Sequence, residues 1–239
     1  LLKAVVVGAT SGIGRELAKE LSRRGYAVGI SGRREELLRS LREELAGPSA
    51  SVVMDVTEPE EAVCGLEELA GELNGMDLLV VSSGIGVPNP DMEWEPERQT
   101  LDVNVMGFTA LITAGYRYFA RQGHGHLVGI SSVAGERGMR HNVAYSASKA
   151  FNMAYLEGLR GRARHDGIRV AVTDIRPGFV ATPMTEGHEG MFWVISAEVA
   201  ARQIADVIKR RKRVAYIPYR WSVLAWVARR APGWVWERL

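Results

Sequence analysis

Ala4-Val5-Val6-Val7-Gly8-Ala9-Thr10-Ser11-Gly12-Ile13-Gly14 decides the fold. An apolar run rich in β-branched residues passes into a glycine-punctuated turn. Residues 13–24 then carry apolar positions at helical spacing, so the stretch reads as strand, tight turn and helix. The alternation repeats outward from it: 27–31 then 35–46, 50–55 then 59–73, and 78–82 then 96–121. Strands at 125–131 and 168–175 flank a helix at 143–164, and a helix at 197–212 precedes a last strand at 214–217. Most of these strands are apolar on both faces. That pattern, with helices between, belongs to a parallel sheet covered on both sides, a doubly wound α/β architecture.

Composition agrees. The chain has 239 residues, 46% hydrophobic and 24% charged, which excludes a disordered, collagen-like or coiled-coil protein. We expect one domain over 1–239, with 218–239 as its C-terminal extension. No apolar run approaches the roughly 20 residues of a membrane-spanning helix, and no signal peptide is visible. A single cysteine, Cys64, suits a reducing compartment, so the expected location is cytoplasmic. The net charge of +2 is uneven: residues 202–239 carry ten Lys and Arg against Asp206 and Glu237, and four of the six tryptophans.

The first turn is a candidate dinucleotide cradle. Backbone amides at a helix start can face a pyrophosphate, and Gly8, Thr10, Ser11, Gly12, Ile13 and Gly14 form the turn where they would do so. The glycines alone are weak evidence, since a tight turn that holds nothing is the alternative. Where an acidic residue would take a ribose 2′-hydroxyl after the second strand, the chain has Ser31-Gly32-Arg33-Arg34. Arg33 and Arg34 can fork a 2′-phosphate, which predicts NADP(H) over NAD(H); pairing with Glu35 or Glu36 is the alternative. Asp55 can accept from an adenine amine with Val56 beside the ring, or cap the next helix.

Tyr145-Ser146-Ala147-Ser148-Lys149 puts Tyr145 and Lys149 four apart, on one helix face. A phenol near pKa ~10 needs help to exchange protons at neutral pH, and a nearby ammonium favours its phenolate. With Gly8-x-x-x-Gly12-x-Gly14, Asn104 in Asn-Val-Met-Gly, Ile130-Ser131-Ser132-Val133-Ala134-Gly135 and Arg176-Pro177-Gly178 followed by Thr182, the chain resembles the short-chain dehydrogenase/reductase family over about residues 3–217. The resemblance implies a Rossmann-type sheet of about seven strands in the order 3-2-1-4-5-6-7. It also implies hydride transfer to a ketone or from a secondary alcohol. Ser132, rather than Ser131, would bind the substrate oxygen, and Tyr145 would exchange its proton. Lys149 would lower the tyrosine pKa and hold the nicotinamide ribose, while Asn104 would hold a water leading to solvent. Pro177, Gly178, Val180 and Thr182 would surround the nicotinamide, and Ser83 and Gly84 complete the cofactor contacts. The chain departs from the family pattern in Val81-Ser82-Ser83-Gly84, where the family has Asn-Asn-Ala-Gly, and in Val7, where it has threonine. Homodimers or homotetramers through the helices beginning near 96 and 143 are a further expectation. A second resemblance, to polyprenyl-phosphate keto-ribose reductases, rests on Gly135-Glu136-Arg137, 175–178 and the Trp- and Arg-rich end.

Other chemistries fit less well. His124, His126, His141, His165 and His188 lack metal-ligand spacing, so no metal is expected. Cys64 has no resolving partner, Ser132 lacks a hydrolase elbow, and Lys209 to Arg213 reads as a solvated helix end, not a nucleic-acid site. A non-catalytic NADPH sensor or scaffold is the rival of another class, opposed by the complete Ser132, Tyr145 and Lys149 set. The substrate region is expected in 86–94, after Ser132, and in a lid at 184–193. Residues 219–239 alternate Trp, Leu and Val with Arg, which suits a lid, a subunit contact or a peripheral membrane contact.

Overall fold

The computed structural model describes residues 1–187 and 190–237. Its first strand, β1 (Lys3–Val7), feeds α1 (Gly12–Arg23), followed by β2 (Ala27–Gly32), α2 (Glu35–Glu44), β3 (Ser49–Val53), α3 (Pro59–Glu72) and β4 (Leu78–Val81). Then come α4 (Trp94–Leu101), α5 (Phe108–Gln122), β5 (His124–Ile130), α6 (Val143–His165) and β6 (Arg169–Pro177). The end of the chain supplies β7 (Val180–Ala181), β8 (Ile195–Ser196), α7 (Ala197–Lys209), β9 (Val214–Ile217), α8 (Trp221–Arg230) and α9 (Gly233–Trp236). Seven strands form one parallel sheet in the order β3-β2-β1-β4-β5-β6-β9, the Rossmann-type order expected, with β9 as the seventh strand.

The central strands β1, β2, β4, β5 and β6 bury both faces, which is why they read as apolar runs, while the edge strands β3 and β9 are half-buried. On one face Val6, Ile30, Val80 and Val128 meet Leu17 and Leu21 of α1, Leu38 and Leu41 of α2, and Ile204 and Ile208 of α7. On the other, Val5, Leu79 and Leu127 meet Leu66 and Leu69 of α3, Leu111 and Phe119 of α5, and Leu156 of α6. The register aligns Val7 with both Ser31 and Val81, and Val81 with Gly129. The loops that follow these strands therefore leave the sheet on one line.

The helix read as continuous over 96–121 is two helices joined by a widened π turn, Asp102–Gly107. Such turns carry one more residue than an α turn and recur at functional sites. This one aims Asn104 into the interior, where it is fully buried. His124 and His126 lie within β5, which begins one residue before the strand expected at 125–131. His126 is buried against the Thr173 hydroxyl at 2.8 Å, and burial pushes its pKa down to about 4. That makes it a neutral core residue. Cys64 is exposed on α3, and Lys209 to Arg213 are exposed at the end of α7. His188 lies outside the described residues.

Candidate active site

A cleft of about 300 Å³ opens at the carboxyl ends of the strands, beside β1, where the order of strand addition reverses. Open α/β sheets bind ligands at this point. The structure brings every residue predicted to touch a dinucleotide to its walls: Gly8, Thr10, Ser11, Gly12, Ile13 and Gly14 from the first turn, Arg33 and Arg34 after β2, Asp55 and Val56 after β3, Ser83 and Gly84 after β4, Tyr145 and Lys149 on α6, and Pro177, Gly178, Val180 and Thr182 around the end of β6. Ser132 joins them. β2 and β5 are three strand spacings apart, about 14 Å, so Arg33 and Ser132 stand at opposite ends of the cleft.

The turn is close-packed. Gly8 has φ +82°, and a Cβ there would lie 2.5 Å from the Ser83 backbone nitrogen; Gly12 has φ +56° and faces the Thr182 methyl. Only glycine satisfies both demands at Gly8. The Ser83 hydroxyl, at the alanine position of the family pattern, is buried with no hydrogen-bond partner among the described residues and leaves a polar group unspent on the cleft wall. Thr182 is fixed by Thr185, whose hydroxyl donates to the Val180 carbonyl at 2.7 Å and accepts from the Thr182 amide at 3.1 Å. Sequence reading had Thr185 only within the 184–193 segment. The Thr-x-x-Thr spacing was its available signal.

Neither arginine pairs with Glu35 or Glu36. Arg34 donates to the hydroxyls of Thr10 at 2.7 Å and Ser11 at 3.0 Å, tying the end of β2 to the glycine-rich turn. Arg33 reaches only the Asp55 carboxylate, at 3.7 Å, and its side chain is 63% exposed. Asp55 is not a helix cap: Pro59 opens α3 after Glu58, and Asp55 instead accepts from the amide and hydroxyl of Thr57 at 3.0 and 2.9 Å.

At the other end, Ser132 caps a single 3₁₀ turn, Val133–Glu136, its Oγ accepting from the Ala134 amide at 3.1 Å. Ser131 points away, donating to the buried Asp174 carboxylate and the Ile175 carbonyl. This separates the roles of the adjacent serines. Burial pushes the Tyr145 phenol above its ordinary pKa, and its hydrogen bond with Ser132 draws it down only in part. The Lys149 ammonium sits over the Tyr145 ring, 5.6 Å from its centre, and donates to the Ile130 carbonyl at 3.1 Å. Burial brings Lys149 down to about 8 against the opposing pull of Asp174. Among the chain's own groups, burial and Ser132 thus set the tyrosine.

Asn104 stands behind the cleft wall. Its Oδ1 accepts from the Ile85 amide at 2.9 Å, and its Nδ2 donates to the Ile85 carbonyl at 2.8 Å and the Ser148 hydroxyl at 3.0 Å, bracing the loop after β4 against α6. With the Asn152 amide turned to donate, its nitrogen lies 2.9 Å from the Asn104 carbonyl.

An ion cluster that sequence reading did not connect lies beneath the 3₁₀ turn. Arg176 donates to Asp174 at 2.6 Å and to Glu136 at 2.9 Å; Tyr216 donates to Glu136 at 2.7 Å, and Arg229 of α8 closes the set on the other Glu136 oxygen. Around it, Arg137 donates to the Ala228 and Ala231 carbonyls, and the Trp236 indole to the Gly138 carbonyl. The C-terminal extension is therefore docked on its own chain beside Ser132. Trp221 is 4% exposed and packs where Gly178 leaves no room for a Cβ, against Phe179 and Phe192.

A family model described as short chain dehydrogenase matches residues 3–191. The chain belongs to the short-chain dehydrogenase/reductase family. An uncharacterized oxidoreductase of Myxococcus xanthus is 41% identical over 187 residues, covering 76% of this chain and 73% of that protein. One from Staphylococcus epidermidis is 32% identical over 207 residues, covering 86% and 88%. Among solved structures, a variant of actinorhodin polyketide ketoreductase with NADPH superposes with TM-score 0.74 at 26% identity, covering 87% of this chain and 90% of that one. A short-chain type dehydrogenase/reductase from Mycobacterium ulcerans does so with TM-score 0.79 at 24% identity over 90% and 87%, and shares the fold. This short-chain dehydrogenase/reductase is an oxidoreductase of the nicotinamide-cofactor class. No helix among its described residues is long and apolar enough to cross a membrane.

Proposed function

We propose that the protein is an NADPH-dependent carbonyl reductase, able to run in reverse on a secondary alcohol. The convergence of Ser132, Tyr145 and Lys149 at one end of a glycine-cradled cleft carries this reading. The cleft suits a dinucleotide: a turn that excludes side chains, an unspent Ser83 hydroxyl, and two arginines where an acid would reject a 2′-phosphate. Gly8 to Gly14 would hold the pyrophosphate, Arg33 and Arg34 the 2′-phosphate, Asp55 and Val56 the adenine, and Pro177 to Thr182 the nicotinamide. The NADPH in the polyketide ketoreductase supports the choice of phosphate form. When bound, the nicotinamide supplies the hydride.

The chain's own residues manage the proton. Ser132 donates a hydrogen bond to the carbonyl oxygen, polarising it. Tyr145, kept protonated by burial, gives its proton to that oxygen as negative charge develops there. Lys149 stabilises the phenolate left behind and binds the nicotinamide ribose. Asn104 holds the relay water on the second lone pair of its carbonyl and keeps the wall behind Lys149 rigid.

Residues 1–239 act as one unit with 218–239 as its extension. Exposed Met106 and Phe151, near the start of α5 and on α6, support a homo-oligomeric contact. The lipid-linked keto-sugar reading is favoured by one observation, the exposed Trp226 on α8. NADPH oxidation across 3-oxoacyl thioesters, steroids, quinones, diketones and keto-sugars tests the assignment, with Tyr145→Phe as the blank. Turnover lost in that variant with NADPH binding retained is expected. An active Phe variant refutes the assignment, and NADPH binding without turnover of any carbonyl favours the sensor.

A further inference from the structure

Helix α8 is apolar on two sides. Trp221, Ala225 and Ala228 face its own domain and are buried. Val223, Trp226, Val227 and Arg230 follow the i, i+3, i+4, i+7 spacing of a second stripe, with Val223 62% and Trp226 56% exposed. In a globular protein the outward stripe of a surface helix is polar, so an apolar one calls for a partner.

Charge identifies the partner. Arg220 and Arg230 border the stripe, Arg229 being held by Glu136, and no Asp or Glu occurs from 207 to 236. The Arg230 guanidinium lies 4.2 Å from the centre of the Trp226 ring, and Arg220 lies 5.2 Å from that of Trp193. Tryptophan bodies with cationic heads match the boundary between acyl chains and anionic headgroups. A two-fold contact between copies would set this cationic border against itself. The helix that carries the stripe adjoins the cleft, because Trp221 on its inner side packs over Gly178 of the cleft wall.

We propose that the outer face of α8 docks on an anionic bilayer surface and that the ketone reduced is one dissolved in that bilayer, the second part resting on the reductase reading. Co-sedimentation with phosphatidylcholine vesicles, with and without phosphatidylglycerol, tests the docking without cofactor or substrate. The full chain should bind the anionic vesicles and lose affinity with added salt. Trp226→Asp with Val227→Asp should weaken binding about tenfold or more, and Arg230→Gln about fivefold, as one cation near such a surface supplies. Unchanged thermal melting of these exposed-face variants establishes that they fold, and Tyr145→Phe should bind like wild type. Equal sedimentation with and without anionic lipid overturns the docking, as does equal binding by the double variant. Sedimentation velocity showing a dimer that the double variant abolishes assigns the face to a second copy and likewise overturns it. A long-chain ketone held in the vesicles should be reduced about tenfold faster by wild type than by the double variant, with a short soluble ketone reduced equally. Equal rates on the vesicle ketone overturn delivery from the bilayer; vesicle binding without turnover of any ketone sinks the reductase reading and leaves the docking standing.

Discussion

Replacing Glu136 by Gln removes the negative charge on which Arg176, Tyr216 and Arg229 converge. The Glu136 side chain is 3% exposed, that of Arg176 8%, and that of Arg229 49%. The cost is unequal across the cluster for that reason. Asp174 still neutralises Arg176 after the substitution, so no guanidinium is stranded, but the buried charge-assisted bonds to Glu136 are lost. Breaking a buried pair costs about 3–5 kcal/mol, and the surviving Asp174 partner puts Glu136→Gln at the low end, about 3 kcal/mol. Arg229→Gln removes a half-exposed partner while Arg176 and Tyr216 still donate to Glu136, about 1 kcal/mol. For a chain of this size each kcal/mol moves Tm by about 2–4 °C, which predicts drops of about 6–12 °C and 2–4 °C. The double variant should melt with Glu136→Gln alone, since the Arg229 contact has already gone. Burial raises the Glu136 pKa, but the hydrogen bonds from Arg229 and Tyr216 and the charge of Arg176 outweigh it and hold it below the ordinary carboxylate value. Its contribution is therefore complete above about pH 4.3 and is lost as pH falls through the lowered value. The Tm gap between wild type and Glu136→Gln should close in acid. Thermal melts of the four proteins across pH measure all of this. Strictly additive single variants, or a gap that persists at low pH, would refute the cluster as the clamp on the Ser132 turn.

Three further outcomes are expected. Arg33→Ala should weaken NADPH about tenfold or more, the worth of a charge-assisted bond, and leave NADH unchanged by fluorescence titration. The rate of ketone reduction should fall as pH rises above about 8, where buried Lys149 loses its proton, and Lys149→Met should remove that limb together with most of the activity. Gly8→Ala forces a Cβ to within 2.5 Å of the Ser83 nitrogen at φ +82°, so NADPH binding, measured by calorimetry, should be lost.

The fold and most of the cleft were legible because they are written locally. A strand run such as Ala4 to Val7 needs only its own apolar faces to be read, and Gly8, Tyr145 and Lys149 act at fixed offsets along one strand-turn or one helix. The π turn at Asp102–Gly107 was not legible, since its six residues are too few for the changed period to stand out between two helices. Arg34 could not be assigned to Thr10 and Ser11 from sequence, because that contact depends on the parallel pairing of β1 with β2.

Residue chemistry along the chain thus determined the doubly wound sheet, the order of its strands through the family resemblance, and the set of groups lining the cleft. Tertiary structure alone decided that Glu136, Arg176 and Arg229 form one ion cluster, and that Trp221 turns inward while Trp226 turns out. Those outcomes depend on contacts between residues 40 to 93 positions apart. Burial and direction in such contacts are set by how whole elements pack, and no local spacing encodes them.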